Sequence, residues 1–252
     1  MDKAYYREYF HLERSHWWFR ARSEILMNGL KITVPSGGHL KILNVGVATG
    51  GSTELLRELG HVTSVEYDRD CCAFTSAQPG FEVLQASITQ LPFSAGQFDL
   101  VCAFDVIEHV EEDGKAVSEL SRVCRKGGVV CVTVPAFMFL WSRHDDVNHH
   151  FRRYTSAQLH QLIARPGMER LLHSYFNFWL FIPIASFRLL SRILPQKKSR
   201  KDAGSDFFVL QSPLLDRIFY WIFRTEAPLI RMGLPVGVSI ISTWRKTMGT
   251  EK

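Results

Sequence analysis

Asn44-Val45-Gly46-Val47-Ala48-Thr49-Gly50-Gly51-Ser52 is the stretch that decides the fold. It follows an apolar run over 40–45 that reads as a buried strand. It precedes 52–59, which reads as a helix with Ser52 as its N-cap. Glycines at such a junction let the backbone approach a ligand, and the helix N-terminus supplies free N–H groups. Glu66 closes the next apolar run, 61–66, where an acidic side chain can hold both hydroxyls of a ribose. Gly46, Ala48, Gly51 and Glu66 even fit a dinucleotide fingerprint with alanine at its second glycine.

Further along, the alternation continues. Residues 70–78 read as helix, 81–85 as strand, 98–104 as strand and 114–124 as helix. Lys126-Gly127-Gly128 breaks that helix, and 129–134 is a fifth strand. Five strand–helix alternations predict an α/β fold with a parallel sheet covered on both faces. On the N-terminal side, 3–30 reads as helix rich in aromatic residues. On the C-terminal side, Thr155 and Gln158 form a capping box opening a helix over 155–164. Strands over 168–175 and 236–244 follow. They enclose an insertion of two apolar helical stretches, 178–194 and 213–232, joined by a polar linker over 196–205.

The chain has 252 residues, 46% hydrophobic and 22% charged, which excludes disordered and collagen-like classes. Its five cysteines show no CxxC pair, which argues against a zinc site or a thioredoxin-like motif. Reduced core cysteines fit a cytoplasmic setting. The N-terminus lacks a basic start followed by an apolar stretch, and Arg188 and Arg192 interrupt the longest apolar run, arguing against a leader and a membrane span. The net charge of +5 is uneven: residues 151–252 hold 16 Lys+Arg against 6 Asp+Glu. That basic part suits an anionic membrane, an anionic substrate or a plain solvated surface.

The downstream motifs decide between cofactors. Leu91-Pro92-Phe93, Phe98-Asp99, Val106-Ile107-Glu108-His109-Val110, and Glu119, Arg122 and Val123 with Lys126-Gly127-Gly128 stand in the order and spacing of one family. The sequence resembles the class I S-adenosylmethionine-dependent methyltransferases, in the branch labelled type 11 or 12. Asn44 stands where that family usually has Asp, Ala48 where it has its middle glycine, and Ser87 where many relatives have Asp. The resemblance implies a doubly wound, mostly parallel seven-stranded sheet with an N-terminal helical lid and a helical insertion before the last strand. It implies one domain over 1–252, divided into a lid (1–35), a cofactor-binding core (40–135), a substrate-side loop and helix (136–175), the insertion (176–235) and the last strand (236–246).

It also places the cofactor, S-adenosylmethionine. Asn44, Gly46, Val47, Ala48 and Gly50 would lie against its methionine part, and Glu66 would bind the ribose beside Tyr67 and Asp68. Ser87 and Ile88 would frame the adenine, and Phe104, Asp105 and Val106 would line the methyl-transfer face. Two flanking clusters match the same branch. Glu13, His16, Trp17, Trp18, Phe19 and Arg22 match an ExxHWWFxxR stretch. His144, Asp145, His150, Arg152, Arg153, Tyr154 and Thr155 match HDxxxxHxRRYT.

Trp17, Trp18, Arg22, Asp145, Arg153 and Tyr154 are therefore the substrate-binding candidates, with lid or core packing and a structural loop as the competing readings. His109, His144 and His150 are the candidate bases, since imidazole titrates near neutral pH. A carboxylate nucleophile would need none. The mixed His and Asp spacing gives no clear ligand pair, so no metal is assigned.

The expected activity is methyl transfer to O, N or C of a small or lipid-like acceptor by in-line displacement. The alternatives are a non-catalytic S-adenosylmethionine-binding or interaction module, suggested by Asn44 and Ser87, and a nicotinamide-dependent oxidoreductase. Nothing favours nucleic acid as partner. The apolar faces of 178–232, with basic margins and Lys197, Lys198, Arg200 and Lys201 in the linker, suit peripheral contact with the inner face of a membrane. Helices capping the core, or a homodimer interface, explain them equally.

Overall fold

The computed structural model describes residues 3–35, 38–193 and 212–247. Leu40–Val45 forms β1, with every residue but Lys41 buried. A strand covered on both faces needs such a continuous apolar run. Around it lie β2 (Gly60–Glu66), β3 (Val83–Gln85), β4 (Phe98–Phe104), β5 (Cys124–Pro135), β6 (Met168–Phe176) and β7 (Ser239–Lys246). They form one sheet in the order β3-β2-β1-β4-β5-β7-β6. The pairings among β1 to β5 are parallel, and β7 runs antiparallel to both β5 and β6. The doubly wound, mostly parallel seven-stranded sheet is therefore present.

Alternate residues of β4 and β5 feed two cores, because successive side chains of a strand point to opposite faces. Val101, Ala103, Val130 and Val132 pack against Val117 and Leu120 of α5 (Asp113–Val123) and Leu159 of α7 (Ser156–Ile163). Leu100, Cys102, Val129 and Cys131 pack against Ile25, Leu26 and Leu30 of α2 (Trp17–Thr33). Those three side chains are fully buried, which is worth about 1.5–3 kcal/mol each. All five cysteines are buried and unpaired. Thr155 caps α7 with the capping box expected from Gln158.

Several local expectations change. The single helix over 3–30 is two, α1 (Lys3–Ser15) and α2, because His16 leaves helical geometry and its side chain accepts a hydrogen bond from Trp18 N as the N-cap. The helix after the glycine turn, α3 (Gly51–Leu56), is capped by Gly50 at φ +97°, so Ser52 lies inside its first turn. Lys126-Gly127-Gly128 ends no helix; it belongs to β5, where the ladder to β4 slips and Gly127 takes φ +77°. The remaining helices are α4 (Arg69–Ser76), α6 (Arg143–Val147), α8 (Phe181–Ile193) and α9 (Pro213–Arg224). The second inserted helix thus ends at Arg224, eight residues earlier than the sequence pattern, and a short 3-10 turn follows at Ile230–Met232. The linker lysines and Arg200 lie outside the described residues.

The insertion is fixed at its root. Glu226 is fully buried and accepts hydrogen bonds from Phe178 N (2.8 Å) and Trp179 N (3.1 Å), which delays α8 to Phe181. Burial pushes the Glu226 carboxyl up. Glu24 of α2 takes Tyr220 and Arg224 of α9, tying the insertion to the N-terminal helices.

Candidate functional site

The site lies at the carboxyl ends of β1, β2 and β4, where open α/β sheets place ligands. Gly46 (φ +71°) cannot be replaced without strain: a Cβ there would stand 2.4 Å from Val106 Cγ2. Ala48 also holds a positive φ, +46°. Asn44 is buried beneath the turn, where its amide donates to Ser52 (2.9 Å) and Thr53 (3.0 Å). Its carbonyl oxygen meets no partner among the described residues. A charged Asp would be poorly served there without donors, which gives the Asn a physical reason.

Glu66 faces the turn. One carboxylate oxygen accepts from Ala48 N (3.0 Å), the other from Tyr67 N (2.8 Å) and Asp68 N (3.1 Å). Asp68 caps α4 through Cys71 N and takes the Tyr6 hydroxyl; the Cys71 bond leads the contributions that hold its carboxyl below the usual range. Tyr67 is exposed, Val47 and Ile88 are buried, and Ser87 pairs with Thr89 (2.8 Å). Phe104 is buried at the end of β4, followed by Asp105 at φ +56°.

The N-terminal helices cover this end of the sheet. Glu13 of α1 accepts from the Thr49 hydroxyl and from Gly51 N (3.2 Å), and burial pushes its carboxyl up. Arg14 reaches the Thr49 carbonyl (3.3 Å) and Glu54 (2.9 Å). Arg22 of α2 is buried and bonded to Asp105 (2.6 Å) and Thr133 (3.2 Å). A residue assigned to substrate and one assigned to cofactor are thus partners of each other. Trp17 packs on Phe219 with ring centres 5.3 Å apart, and Trp18 stacks with Phe223. The aromatic pair therefore joins α2 to α9, with Trp18 also under the Arg22 guanidinium (5.5 Å).

The second cluster folds inward. Asp145 is fully buried and accepts from Arg153 Nε (2.7 Å) and Nη2 (3.0 Å), His150 Nδ1 (2.9 Å) and Ser142 N (2.8 Å). Burial alone would raise its carboxyl; the His150 and Arg153 bonds outweigh it and hold it well below the usual range. Tyr154 is buried with its hydroxyl on Asp113 (2.9 Å), and burial raises its pKa. Asp145, Arg153 and Tyr154, read from sequence as substrate contacts, are enclosed: their polar atoms are spent on internal partners.

Of the three candidate bases, the structure brings two together. The His109 and His150 rings are perpendicular at 4.5 Å, whereas His144 stands 6.2 Å from His150 with Nε2 on Asn148 (3.1 Å). Burial, then the neighbouring His150, lowers His109 to about 4, so it stays neutral near pH 7. Beside them is Glu108, which sequence reasoning quoted only as part of a motif. It is fully buried, and neither carboxylate oxygen has a hydrogen-bond partner among the described residues. Burial and the Asp105 charge push its carboxyl well above the usual range, against smaller pulls from its own N–H, Arg22 and Arg153.

A glycine turn with an acidic residue one strand over is the arrangement by which open α/β sheets hold a nucleoside cofactor. Residues 43–132 match the family described as methyltransferase domain. A Mycolicibacterium smegmatis protein named a probable S-adenosylmethionine-dependent methyltransferase is 29% identical over 63% of this chain and 62% of its own length. A phosphatidylethanolamine N-methyltransferase of Cereibacter sphaeroides is 33% identical over 36% of this chain and 49% of its own. Among solved structures, an S-adenosylmethionine dependent methyltransferase from Mesorhizobium loti shares the fold at TM-score 0.54 and 14% identity, over 86% of this chain and 95% of that one.

The chain is thus similar, over residues 43–132, to the class I S-adenosylmethionine-dependent methyltransferases. It spans about three-fifths of the length of the first two curated relatives it matches. The family's cofactor is S-adenosylmethionine, and the residues present fit it. Glu66 accepts three hydrogen bonds with a carboxylate that offers about four acceptor positions, so one remains for a ribose hydroxyl. The reversed β7 between β5 and β6 departs from the 3-2-1-4-5-6 order of dinucleotide-binding sheets.

Proposed function

We propose that this chain transfers a methyl group from S-adenosylmethionine to an O, N or C atom of a small, lipid-like acceptor. The observation that carries the reading is the positive-φ turn of Gly46, Ala48 and Gly50 closed against Glu66. The bound cofactor supplies a methyl group already activated on a sulfonium sulfur. The protein's task is then alignment and exclusion of water. Glu66 holds the ribose. The Arg22–Asp105–Thr133 contacts and the Glu13 contact to Gly51 fasten α1 and α2 over the strand ends, keeping bulk water out. We assign the surroundings of His109 and His150, neighbours beside the end of β4, to the reacting group of the acceptor.

A lipid-like acceptor is supported by the insertion and by the phosphatidylethanolamine N-methyltransferase relative. Ile182 and Phe187 of α8 and Leu214 and Trp221 of α9 are more than half exposed. Apolar area of this kind on a covered core marks an interaction surface. No described helix is long and apolar enough to cross a membrane, so the proposed contact is peripheral, with α8 and α9 lying on the surface. Calorimetric titration of the full chain with S-adenosylmethionine and with its demethylated product tests the cofactor site. Micromolar binding, lost in a folded Glu66→Ala variant, is expected. A folded wild-type protein that binds neither ligand overturns the reading.

A further inference from the structure

We propose that Glu108, His109 and His150 form a binding site for one divalent transition-metal ion, of the zinc type, at the carboxyl end of β4. One ligand atom from each of the three lies within 4.8 Å of the others. Tetrahedral zinc ligands stand about 3.3 Å apart, given bonds of ~2.0–2.1 Å. Small side-chain rotations close the difference. Glu108 is enclosed with no hydrogen-bond partner for either oxygen among the described residues, a costly state for a carboxylate in a folded protein. A cation between Glu108 and the two rings removes that cost.

The histidines are already held as metal ligands usually are. A ligating imidazole commonly donates its second nitrogen to a carboxylate or carbonyl, which fixes tautomer and ring orientation. His150 Nδ1 is bonded to Asp145 (2.9 Å), leaving Nε2 for the ion. Asp145 is fixed in turn by the two-pronged Arg153 contact. His109 is bonded to the Asn148 backbone. The two ligand-bearing segments are also joined directly, since Phe151 N donates to the Glu108 carbonyl (2.8 Å).

Two imidazoles and one carboxylate favour zinc or a neighbouring transition ion over magnesium or calcium, which prefer oxygen ligands throughout. Three protein ligands leave a position for water or another oxygen ligand, as in catalytic zinc sites. Use of that position for an acceptor hydroxyl rests on the transferase reading. Metal binding itself does not, so the two fail separately.

The test is titration of the chelator-treated full chain with zinc chloride alone and, separately, with magnesium chloride. Expected are one zinc ion per chain, no comparable magnesium binding, and at least tenfold weaker zinc binding in Glu108→Gln and His150→Ala. The cobalt form provides a second readout that needs no variant. Intense visible bands of a low-coordinate ion, without a thiolate charge-transfer band, are expected. Zinc binding unchanged by both substitutions, a thiolate band from cobalt, or no binding by the folded wild-type chain overturns the assignment.

Discussion

Arg153→Leu removes a guanidinium that is 5% exposed from a carboxylate that is fully enclosed. Two charge-assisted bonds to Asp145, at 2.7 and 3.0 Å, disappear together with the 3.2 Å bond to the Ala136 carbonyl. Breaking a buried pair by deleting one partner costs about 3–5 kcal/mol, because the other charge stays behind. Asp145 keeps His150 and Ser142 N as donors, so the lower end of that range, about 3 kcal/mol, is expected. Urea unfolding measures it. The double variant Asp145→Asn/Arg153→Leu should fall short of the summed single losses by about 1–3 kcal/mol, as directly coupled partners do. The pH dependence has a definite sign. Asp145 is depressed below its unfolded value of about 3.9. Its contribution is therefore complete above that value and lost as pH falls through the lower folded one. Arg153→Leu should weaken this acid dependence. A loss under about 1 kcal/mol, the size of an exposed pair, would refute the buried brace.

Two further outcomes follow from the fold. Gly46→Ala should lower stability by about 1–2 kcal/mol from its positive φ alone, and by more once the 2.4 Å approach to Val106 is relieved; thermal unfolding and S-adenosylmethionine titration read both effects. Phe187→Asp and Trp221→Glu, at positions 73% and 54% exposed, should leave unfolding within about 0.5 kcal/mol of wild type while reducing sedimentation with anionic phospholipid vesicles. Unchanged sedimentation would count against peripheral membrane contact.

The sheet was legible because its strands are short apolar runs with helical periodicity between them, and the run over 40–45 became β1 with both ends correct. The capping box at Thr155 was equally readable, since it needs only two side chains three residues apart. The break at His16 was hidden because aromatic residues continue at helical spacing on either side, and the interruption depends on one imidazole nitrogen meeting Trp18 N. Ser52 misled for a related reason: it has the right chemistry for an N-cap, but Gly50 takes the left-handed conformation that ends the turn first.

The candidate site divides along the same line. Glycines and Glu66 announce themselves through backbone geometry and strand position, which local sequence encodes. Burial of charge is harder to read, because charged residues are mostly exposed and the groups that enclose Asp145, Arg153 and Glu108 come partly from elsewhere in the chain. The stretch from His144 to Tyr154 read either as groups aimed at a substrate or as a structural loop. Folded, Arg153 grips Asp145, Asp145 grips His150, and His150 meets His109 beside Glu108, whose oxygens have no partner among the described residues. Asp145 and Arg153 therefore position one imidazole. Only a three-dimensional neighbour from the end of β4 reveals the purpose of holding it so firmly. By the same logic, Asp145→Asn should weaken zinc binding less than His150→Ala does, on the order of tenfold for an outer-shell partner, since it loosens the ring without removing the ligand nitrogen. Equal losses would mean that Asp145 itself reaches the ion.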